Sequence, residues 1–270
     1  MSKTAPPPGY VTATEAKHIL GDQGNMLQRY IKAGHIKRYT PPFRKQGYYK
    51  RDEIEAFKTS IDAFYHPSMT ELATFQRAHE SDMKDIGTID LATFGGTLRE
   101  KIYRKWAKAN KETFYALRTP AGKVIGYACI LPLDKAVMDQ YIKGEVALEE
   151  IPIEAIKRFE PGESLHLYVV AMAVDPSYKR SLKEGYGARL LYGILDVLMG
   201  MARRGVEIET ITARSFKTDG IRLLRRMGIP QLRSPVPSMQ LFSLKVAESG
   251  YPLIMRYCSL LEQWKREHQS

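Results

Sequence analysis

A basic, glycine-containing segment is the part of this sequence whose residue types and spacing most clearly suggest chemistry. The apolar run at 167–174 predicts a buried strand, because it is rich in valine and ends before Pro176. A turn with Gly185 and Gly187 follows, and apolar periodicity over 187–203 predicts a helix. Glycines let a backbone approach a ligand closely, and free N–H groups at a helix start attract anions. The segment is therefore a candidate phosphate site, although an ordinary strand–helix connection has the same pattern.

Residues that could move a proton lie just before and within this strand. Glu163, His166 and Tyr168 are the candidates, and we select Glu163 and His166 as candidate catalytic residues. A carboxylate or an imidazole can act as a base, directly or through water, if its pKa is near the working pH. His166 could equally be a strand histidine bonded to a backbone carbonyl, and Glu163 an ordinary turn residue. Ser215 and Tyr257 are further candidates for a proton donor.

The elements around this segment resemble those of the GNAT superfamily of N-acetyltransferases. Residues 75–83 resemble the family's first strand entering its first helix, and 113–131 resemble its second and third strands joined as a hairpin. Residues 225–229 resemble the end of a late helix that closes on glycine. The resemblance covers about 70–245 and is interrupted by an unusual insert at about 134–163. It implies a mixed sheet flanked by helices.

The resemblance also implies acetyl-CoA as the cofactor and an amine as the acceptor. Backbone groups at 172–174 would line the pantetheine and the carbonyl, and N–H groups over 180–188 would hold the pyrophosphate. The cofactor-binding residues implied in this way are Met172, Ala173, Val174, Lys179, Arg180, Lys183, Gly185, Tyr186, Gly187 and Ala188. No metal site is expected.

Three positions depart from the family's pattern. Leu182 stands where the family usually has Gln or Arg, and Leu224 stands where a tyrosine often acts as the acid for the thiolate. Lys217 replaces an asparagine of the same late helix. These departures leave open a second function, in which the domain has lost catalysis and serves as an acyl-CoA sensor or a dimerisation body.

The insert is rich in glutamate. Six glutamates lie between 145 and 163, and an acidic rim beside an acceptor site would favour a cationic acceptor such as a lysine, an N-terminus or a polyamine. The alternative is a solvated surface with amphipathic helices at about 134–143 and 153–159.

The N-terminal segment has its own pattern of short elements. Thr12 or Thr14 is a plausible N-cap for a first helix, and Gly21 is a plausible stop. A second helix is predicted over 25–32. Two short strands, 36–39 and 47–50, flank a basic loop, and a third helix starts at residue 51.

This pattern resembles the winged helix-turn-helix of the MerR and excisionase families over about 9–59. The resemblance implies DNA as a partner, with a recognition helix in the major groove and a wing beside it. The candidate DNA-binding residues are Asn25, Gln28, Arg29, Lys32, Arg44 and Lys45. The small core is expected to contain Tyr30, Ile31, Ile36, Ile54 and Phe57. A module of this size binds DNA weakly alone, so we expect a homodimer; reuse of the fold as a protein-interaction module is the alternative.

Composition agrees with a basic, two-domain protein. The formal net charge is +11, and residues 1–66 carry eleven Lys and Arg against six Asp and Glu. Cys129 and Cys258 lie far apart in apolar segments, which favours free thiols and a cytoplasmic location. No apolar stretch has the length of a membrane span.

We therefore predict an α/β (α+β) protein with a boundary near Pro67. Residues 1–66 would form the winged helix-turn-helix and 67–270 the acyl-CoA-binding domain. The predicted function is a DNA-binding N-acetyltransferase; a transcriptional regulator or a structural DNA-binding protein without catalysis is the alternative. Near the C-terminus, 239–246 are expected to form a strand, 253–264 a strand or helix, and 265–270 a frayed tail.

Overall fold

The computed structural model describes residues 6–21, 26–32, 36–41, 47–55, 57–58, 73–96 and 99–268 of the 270-residue chain. The predicted domain boundary near Pro67 lies outside these residues. Within them, one small unit precedes residue 59 and one seven-stranded mixed sheet follows residue 72.

The N-terminal unit is built from short elements around a small core. Helices α1 (Ala13–Leu20) and α2 (Met26–Lys32) accompany an antiparallel pair of strands, β1 (Tyr10–Val11) and β2 (Tyr49–Lys50), and residues 51–55 and 57–58 are helical. Thr12 is the N-cap of α1 and forms a capping box with Glu15, while Gly21 ends the helix at a φ of 67°. The predicted core residues Tyr30, Ile31, Ile36, Ile54 and Phe57 all belong to the apolar cluster of this unit.

The large sheet has the strand order β3-β4-β5-β6-β7-β9-β8. Its strands are β3 (Thr74–Arg77), β4 (Phe114–Arg118), β5 (Val124–Leu133), β6 (Ser164–Val174), β7 (Glu207–Ser215), β8 (Gln231–Leu232) and β9 (Gln240–Lys245). Neighbouring strands are antiparallel except for β6 and β7, which run parallel. The parallel pair requires a crossover, which the helix after β6 supplies.

Helices cover both faces of the sheet. On one face lie α3 (Met83–Phe94), α4 (Glu100–Ala109) and α5 (Lys135–Lys143), packed on the core that contains Tyr103, Trp106 and Tyr127. On the other face lie α6 (Arg180–Arg203), α7 (Thr218–Arg226) and α8 (Pro252–His268), packed on a second core. We call these the α3–α5 face and the α6–α8 face.

Three details differ from the sequence-based expectations. Helix α6 begins at Arg180 rather than near residue 187, because 180–184 are helix-forming residues and Arg180 pairs with Glu184 at 2.9 Å one turn later. The second helix expected in the insert is only a 3-10 turn, Ile153–Ala155. The tail is helical through His268, and Lys265 forms an ion pair with Glu207 at 2.5 Å.

Other expectations are confirmed. The insert begins with α5, close to the predicted 134–143, and the strand expected at 239–246 is β9. Cys129 and Cys258 are free thiols. No helix among the described residues is both long and apolar enough to cross a membrane.

Candidate active site

The parallel strands β6 and β7 are paired over only part of their length. Their register runs from Ser164 opposite Glu207 to Val169 opposite Ala213. Strand β6 continues to Val174, but there it pairs only with β5, where Gly126 lies opposite Val174. The edge of residues 170–174 that faces away from β5 therefore has no strand partner among the described residues. We call this stretch the open edge.

The open edge contains three of the predicted cofactor residues. Met172, Ala173 and Val174 all lie on it, since the strand ends at Val174. An unpaired strand edge presents backbone N–H and C=O groups that can pair with an extended ligand. The strand that the valine-rich run predicts is thus present. That β7 pairs with only part of it could not be predicted from the sequence, because it depends on the tertiary fold.

Helix α6 starts six residues after the open edge ends. Its N-cap, Lys179, makes no side-chain capping bond, and the Lys183 N–H donates to the Lys179 carbonyl at 3.0 Å. The N–H groups of the preceding helical residues have no intrahelical acceptor, as in the first turn of any helix. Lys179, Arg180 and Lys183 lie on or beside this turn, so positive charge and free N–H groups coincide there.

The glycine segment does not form the loop that the sequence suggested. Gly185, Tyr186, Gly187 and Ala188 lie inside α6, where their N–H groups belong to the helix. Gly187 is seven residues past Arg180, roughly 10 Å along the axis at the usual rise per residue. The free N–H groups of α6 are therefore those of its first turn, at 180–182, and not those of these four residues.

Two tyrosine side chains contact each other next to the point where β6 and β7 separate. The hydroxyls of Tyr141 on α5 and Tyr168 on β6 lie 2.7 Å apart, and their rings are edge-on at 4.7 Å. Tyr168 is opposite Thr212, one pair before the strands separate. Burial raises the pKa of Tyr168 well above its usual value, so its hydroxyl stays protonated at neutral pH.

Arg214 holds α5 against the end of β7. Its guanidinium lies 4.3 Å from the centre of the Tyr141 ring, and its Nη2 donates to the carbonyls of Tyr141 and, at 2.9 Å, Ile142. These carbonyls are at the end of α5, where a cation is favourable. Sequence reasoning missed Arg214, because its partners are more than seventy residues away and no local pattern marks it.

The candidate bases lie away from the open edge. His166 is in the doubly paired half of β6, about 13 Å along the strand from Val170. Its Nδ1 is 2.9 Å from the Thr210 hydroxyl and its Nε2 is 3.6 Å from a Glu209 carboxylate oxygen. Glu163 precedes β6 and is exposed. Glu163 lies outside the strand, whereas His166 lies two residues before Tyr168 on the same face of β6, about 7 Å along the strand.

The further acid candidates have structural roles. The Tyr257 hydroxyl donates to the Val206 carbonyl at 2.7 Å and accepts from the Ile208 N–H at 2.8 Å. The Ser215 hydroxyl donates to the Lys217 carbonyl at 3.3 Å. Leu182 is exposed on the first turn of α6, and Leu224 packs partly buried against the α6–α8 core.

A buried carboxylate organises the α3–α5 face next to this site. Asp90 is fully buried and accepts hydrogen bonds from the hydroxyls of Tyr103, at 2.9 Å, and Tyr127. Arg99 links it to the insert, with Nη1 3.3 Å from Asp90 and Nε 2.9 Å from Glu149. One glutamate of the predicted acidic rim, Glu149, is thus paired with Arg99, and Glu145, Glu149 and Glu150 are all exposed.

The insert also touches the loop between β8 and β9. A side chain at Gly144 would come within 3.2 Å of Pro235, so a glycine allows this approach. Phe94 at the end of α3 and Phe216 after β7 form an edge-on pair at 6.2 Å. Elements from four parts of the chain therefore border the α3–α5 side of the parting strands.

The predicted DNA-binding residues are only partly described. Gln28, Arg29 and Lys32 are exposed on α2, on the side away from the buried Leu27 and Tyr30. Asn25, Arg44 and Lys45 lie outside the described residues. Among the described residues, no group of three or more His, Cys, Asp or Glu side chains could hold a metal ion.

Comparison with known proteins gives one family match. Residues 82–229, more than half of the chain, match the model of the Acetyltransferase (GNAT) family. No curated protein matches the chain.

The solved structures that match this chain are distant in sequence. Ard1 from Thermoplasma volcanium is 13% identical with a TM-score of 0.44, over 64% of this chain and 97% of that one. The ribosomal-protein-S18-alanine N-acetyltransferase from Escherichia coli is 16% identical with a TM-score of 0.41, over 67% and 98%. Arabidopsis thaliana Naa50 in complex with the bisubstrate analogue CoA-Ac-MVNAL is 12% identical with a TM-score of 0.42, over 64% and 98%.

Proposed function

The chain belongs to the acetyltransferase (GNAT) family, and from that premise we propose that residues 73–268 form an N-acetyltransferase that uses acetyl-CoA and an amine acceptor. The observation that carries this proposal is the open edge of β6 next to the parallel strand β7. The N-terminus of α6, whose N-cap side chain makes no capping bond, follows six residues later. These features lie at opposite ends of one short segment, 170–182, and suit one extended anionic ligand.

The fit to acetyl-CoA follows from the groups present. Amides of the pantetheine arm can pair with the backbone of 170–174 as an added strand would. The pyrophosphate fits the free N–H groups at 180–182, with the charges of Lys179 and Lys183 nearby. When bound, acetyl-CoA supplies an acetyl group as a thioester, which is reactive toward an amine.

The transfer makes a C–N bond and breaks a C–S bond. The departing sulfur requires a proton, and the acceptor nitrogen loses one. We assign the proton donor to the Tyr168 hydroxyl, which its raised pKa keeps protonated. Tyr141 orients that hydroxyl at 2.7 Å, Arg214 positions Tyr141, and the proton lost by the amine returns to the pair through solvent.

This assignment replaces the acid that the family's pattern would place at position 224. Leu224 has no proton to give, so its presence alone favours lost catalysis; the Tyr141–Tyr168 pair favours retained catalysis. For the acceptor, the exposed Glu145 and Glu150 on the bordering insert support a cationic amine such as a lysine, an N-terminus or a polyamine.

Turnover tests the proposal directly. The full chain is incubated with acetyl-CoA and a panel of amines (a polyamine, a lysine peptide and a peptide with a free N-terminus), and thiol release and acetylated product are both measured. We expect product with at least one amine. Saturable acetyl-CoA binding without product from any amine would favour the acyl-CoA sensor, and no binding would refute both.

A second function, DNA binding by the N-terminal unit, is proposed from a separate observation. Gln28, Arg29 and Lys32 share the exposed side of α2, a short helix whose opposite side is buried. Such a helix can enter a major groove, with the basic side chains at bases and phosphates. A homodimer in the cytoplasm remains our expectation for the DNA-bound form.

Salt dependence tests this second function. DNA affinity of the full chain should fall steeply as salt rises, and Arg29→Ala should reduce the slope by about one phosphate contact. Arg256→Ala, an exposed arginine on α8, is the matched control. Affinity that does not depend on salt, or equal slopes in both variants, would contradict the proposed surface.

A further inference from the structure

A small enclosed cavity lies directly behind the parting of β6 and β7. Its volume is about 60 Å³, and every side chain that lines it is apolar. Val169 and Met172 of β6 and Ile211 of β7 form its wall on the sheet, while Leu198 of α6 and Leu224 of α7 lie opposite. The cavity is therefore on the α6–α8 face, away from the tyrosine pair.

The cavity adjoins the candidate cofactor path. Val169 is the last residue of β6 that pairs with β7, and Met172 is on the open edge itself. A ligand paired with the open edge would bring its far end to Val169, which lines the cavity. An apolar group at that end of the ligand thus has an adjacent apolar space.

Helix α7 leaves this space unfilled. None of its residues is fully buried, although Ile221, Leu223 and Leu224 pack partly buried against the core. Apolar side chains beside an empty space lose dispersion contacts and leave the core less stable than a filled one. An apolar cavity without polar partners also excludes water, so an apolar ligand enters it without displacing a bound solvent molecule.

We propose that this cavity is an acyl-chain pocket, which accepts the aliphatic chain of a thioester longer than acetyl. The proposal rests on the proposed function and refines its donor: a short-chain acyl-CoA. Since a cavity of about 150 Å³ holds benzene, a cavity of this size holds about two to three carbon atoms beyond the acetyl methyl. Leu224 is the residue that sets the length, because it lines the cavity from a loosely packed helix.

Binding of acyl-CoA thioesters to the full chain tests the pocket without any acceptor. Titration calorimetry compares acetyl-, butyryl- and decanoyl-CoA, with CoA itself as reference. Each methylene that enters the cavity should tighten binding about fourfold, so butyryl-CoA, which has two more methylenes, should bind about fifteenfold more tightly than acetyl-CoA. Decanoyl-CoA, which exceeds the volume, should lose this gain.

Substitutions at Leu224 should move the preference in opposite directions. Leu224→Phe fills the cavity and should make acetyl- and butyryl-CoA bind equally, whereas Leu224→Ala enlarges it and should favour longer chains. Leu232→Phe, at a leucine that is 43% exposed and outside the cavity, is the matched control and should keep the original preference. Thermal melts verify that each variant is folded.

The outcomes separate the two proposals. Equal affinity for acetyl- and butyryl-CoA in the unmodified protein, or a butyryl preference that survives Leu224→Phe, would overturn the acyl-chain pocket and leave the acetyltransferase proposal intact. If no thioester binds at all, both are overturned. A preference for butyryl-CoA that follows the size of residue 224 in both directions would establish the pocket.

Discussion

The two halves of β6 have the same sequence character but different surroundings. In Ser164–Val169 the backbone is paired on both sides, and the His166 ring lies 2.9 Å from the Thr210 hydroxyl through Nδ1 and 3.6 Å from Glu209 through Nε2. In 170–174 the backbone is paired only with β5, and the Tyr141–Tyr168 pair lies at the junction. Backbone groups of the paired half already have strand partners, so a ligand that pairs with the backbone is expected along 170–174, with Tyr168 just before the point where pairing stops.

The largest expected effect is at Tyr168. Tyr168→Phe removes only the hydroxyl and should lower kcat about 100-fold or more, as for loss of a general acid. The measurement is steady-state kinetics at saturating acetyl-CoA and acceptor. Tyr257→Phe, at another buried tyrosine, is the control and should affect stability more than kcat. Similar kcat values for Tyr168→Phe and the unmodified protein would remove Tyr168 from the mechanism.

A smaller effect is expected at Arg214, which acts through α5. Arg214→Met leaves two helix-end carbonyls without their donor and should raise the acceptor KM about tenfold, with a smaller change in kcat. Arg214→Lys should not restore the KM, since an ammonium does not reproduce the planar guanidinium. Arg222→Met on α7, an exposed arginine, is the control. A pure loss of kcat would instead place Arg214 in contact with the reacting atoms.

The first turn of α6 should contribute a few-fold. Lys179→Ala combined with Lys183→Ala should weaken acetyl-CoA binding about threefold at low salt and less at high salt, because exposed charges are screened. The double variant Lys101→Ala/Lys105→Ala on α4 removes the same charge from exposed positions elsewhere. If the two double variants bind equally, the phosphates are not held at this turn.

His166 should have the smallest effect on the reaction. His166→Ala should change kcat by less than about twofold, because the imidazole is bonded to Thr210 within the doubly paired half of β6. Loss of that buried hydrogen bond should lower stability by about 1 kcal/mol, a decrease in Tm of about 2–4 °C. A large loss of kcat with an unchanged Tm would instead show that His166, in the doubly paired half of β6, takes part in the reaction.

The pH profile gives the remaining test. Because burial raises the pKa of Tyr168 above about 10, its hydroxyl keeps its proton at pH values where a free tyrosine begins to ionise. The rate should therefore not decline between about pH 8 and pH 10. A decline in that range, absent in Tyr168→Phe, would show that the hydroxyl ionises in the folded protein and contradict its role as the donor.

The elements were largely predictable, because they follow from local patterns. The valine-rich run gave β6, the hairpin pattern over 113–131 gave β4 and β5, and Thr12 with Gly21 marked α1. The predicted start of α6, near residue 187, was wrong. The helix begins at Arg180, which pairs with Glu184 one turn later, and the two glycines lie within it. Glycines permit a loop, but they do not require one when the preceding residues favour a helix.

Sequence alone determined β4, β5, β6 and β9, the helix α1, the family resemblance and the basic character of the N-terminal unit, because periodicity, caps and composition are local properties of the chain; β7 and β8 were not predicted. Only the tertiary structure decided that β6 loses its β7 partner after Val169, that Tyr141 meets Tyr168, and that Arg214 contacts Tyr141. These contacts join residues 27 to 73 positions apart. No local pattern encodes them, since they arise only when a parallel crossover and an inserted helix bring distant side chains together.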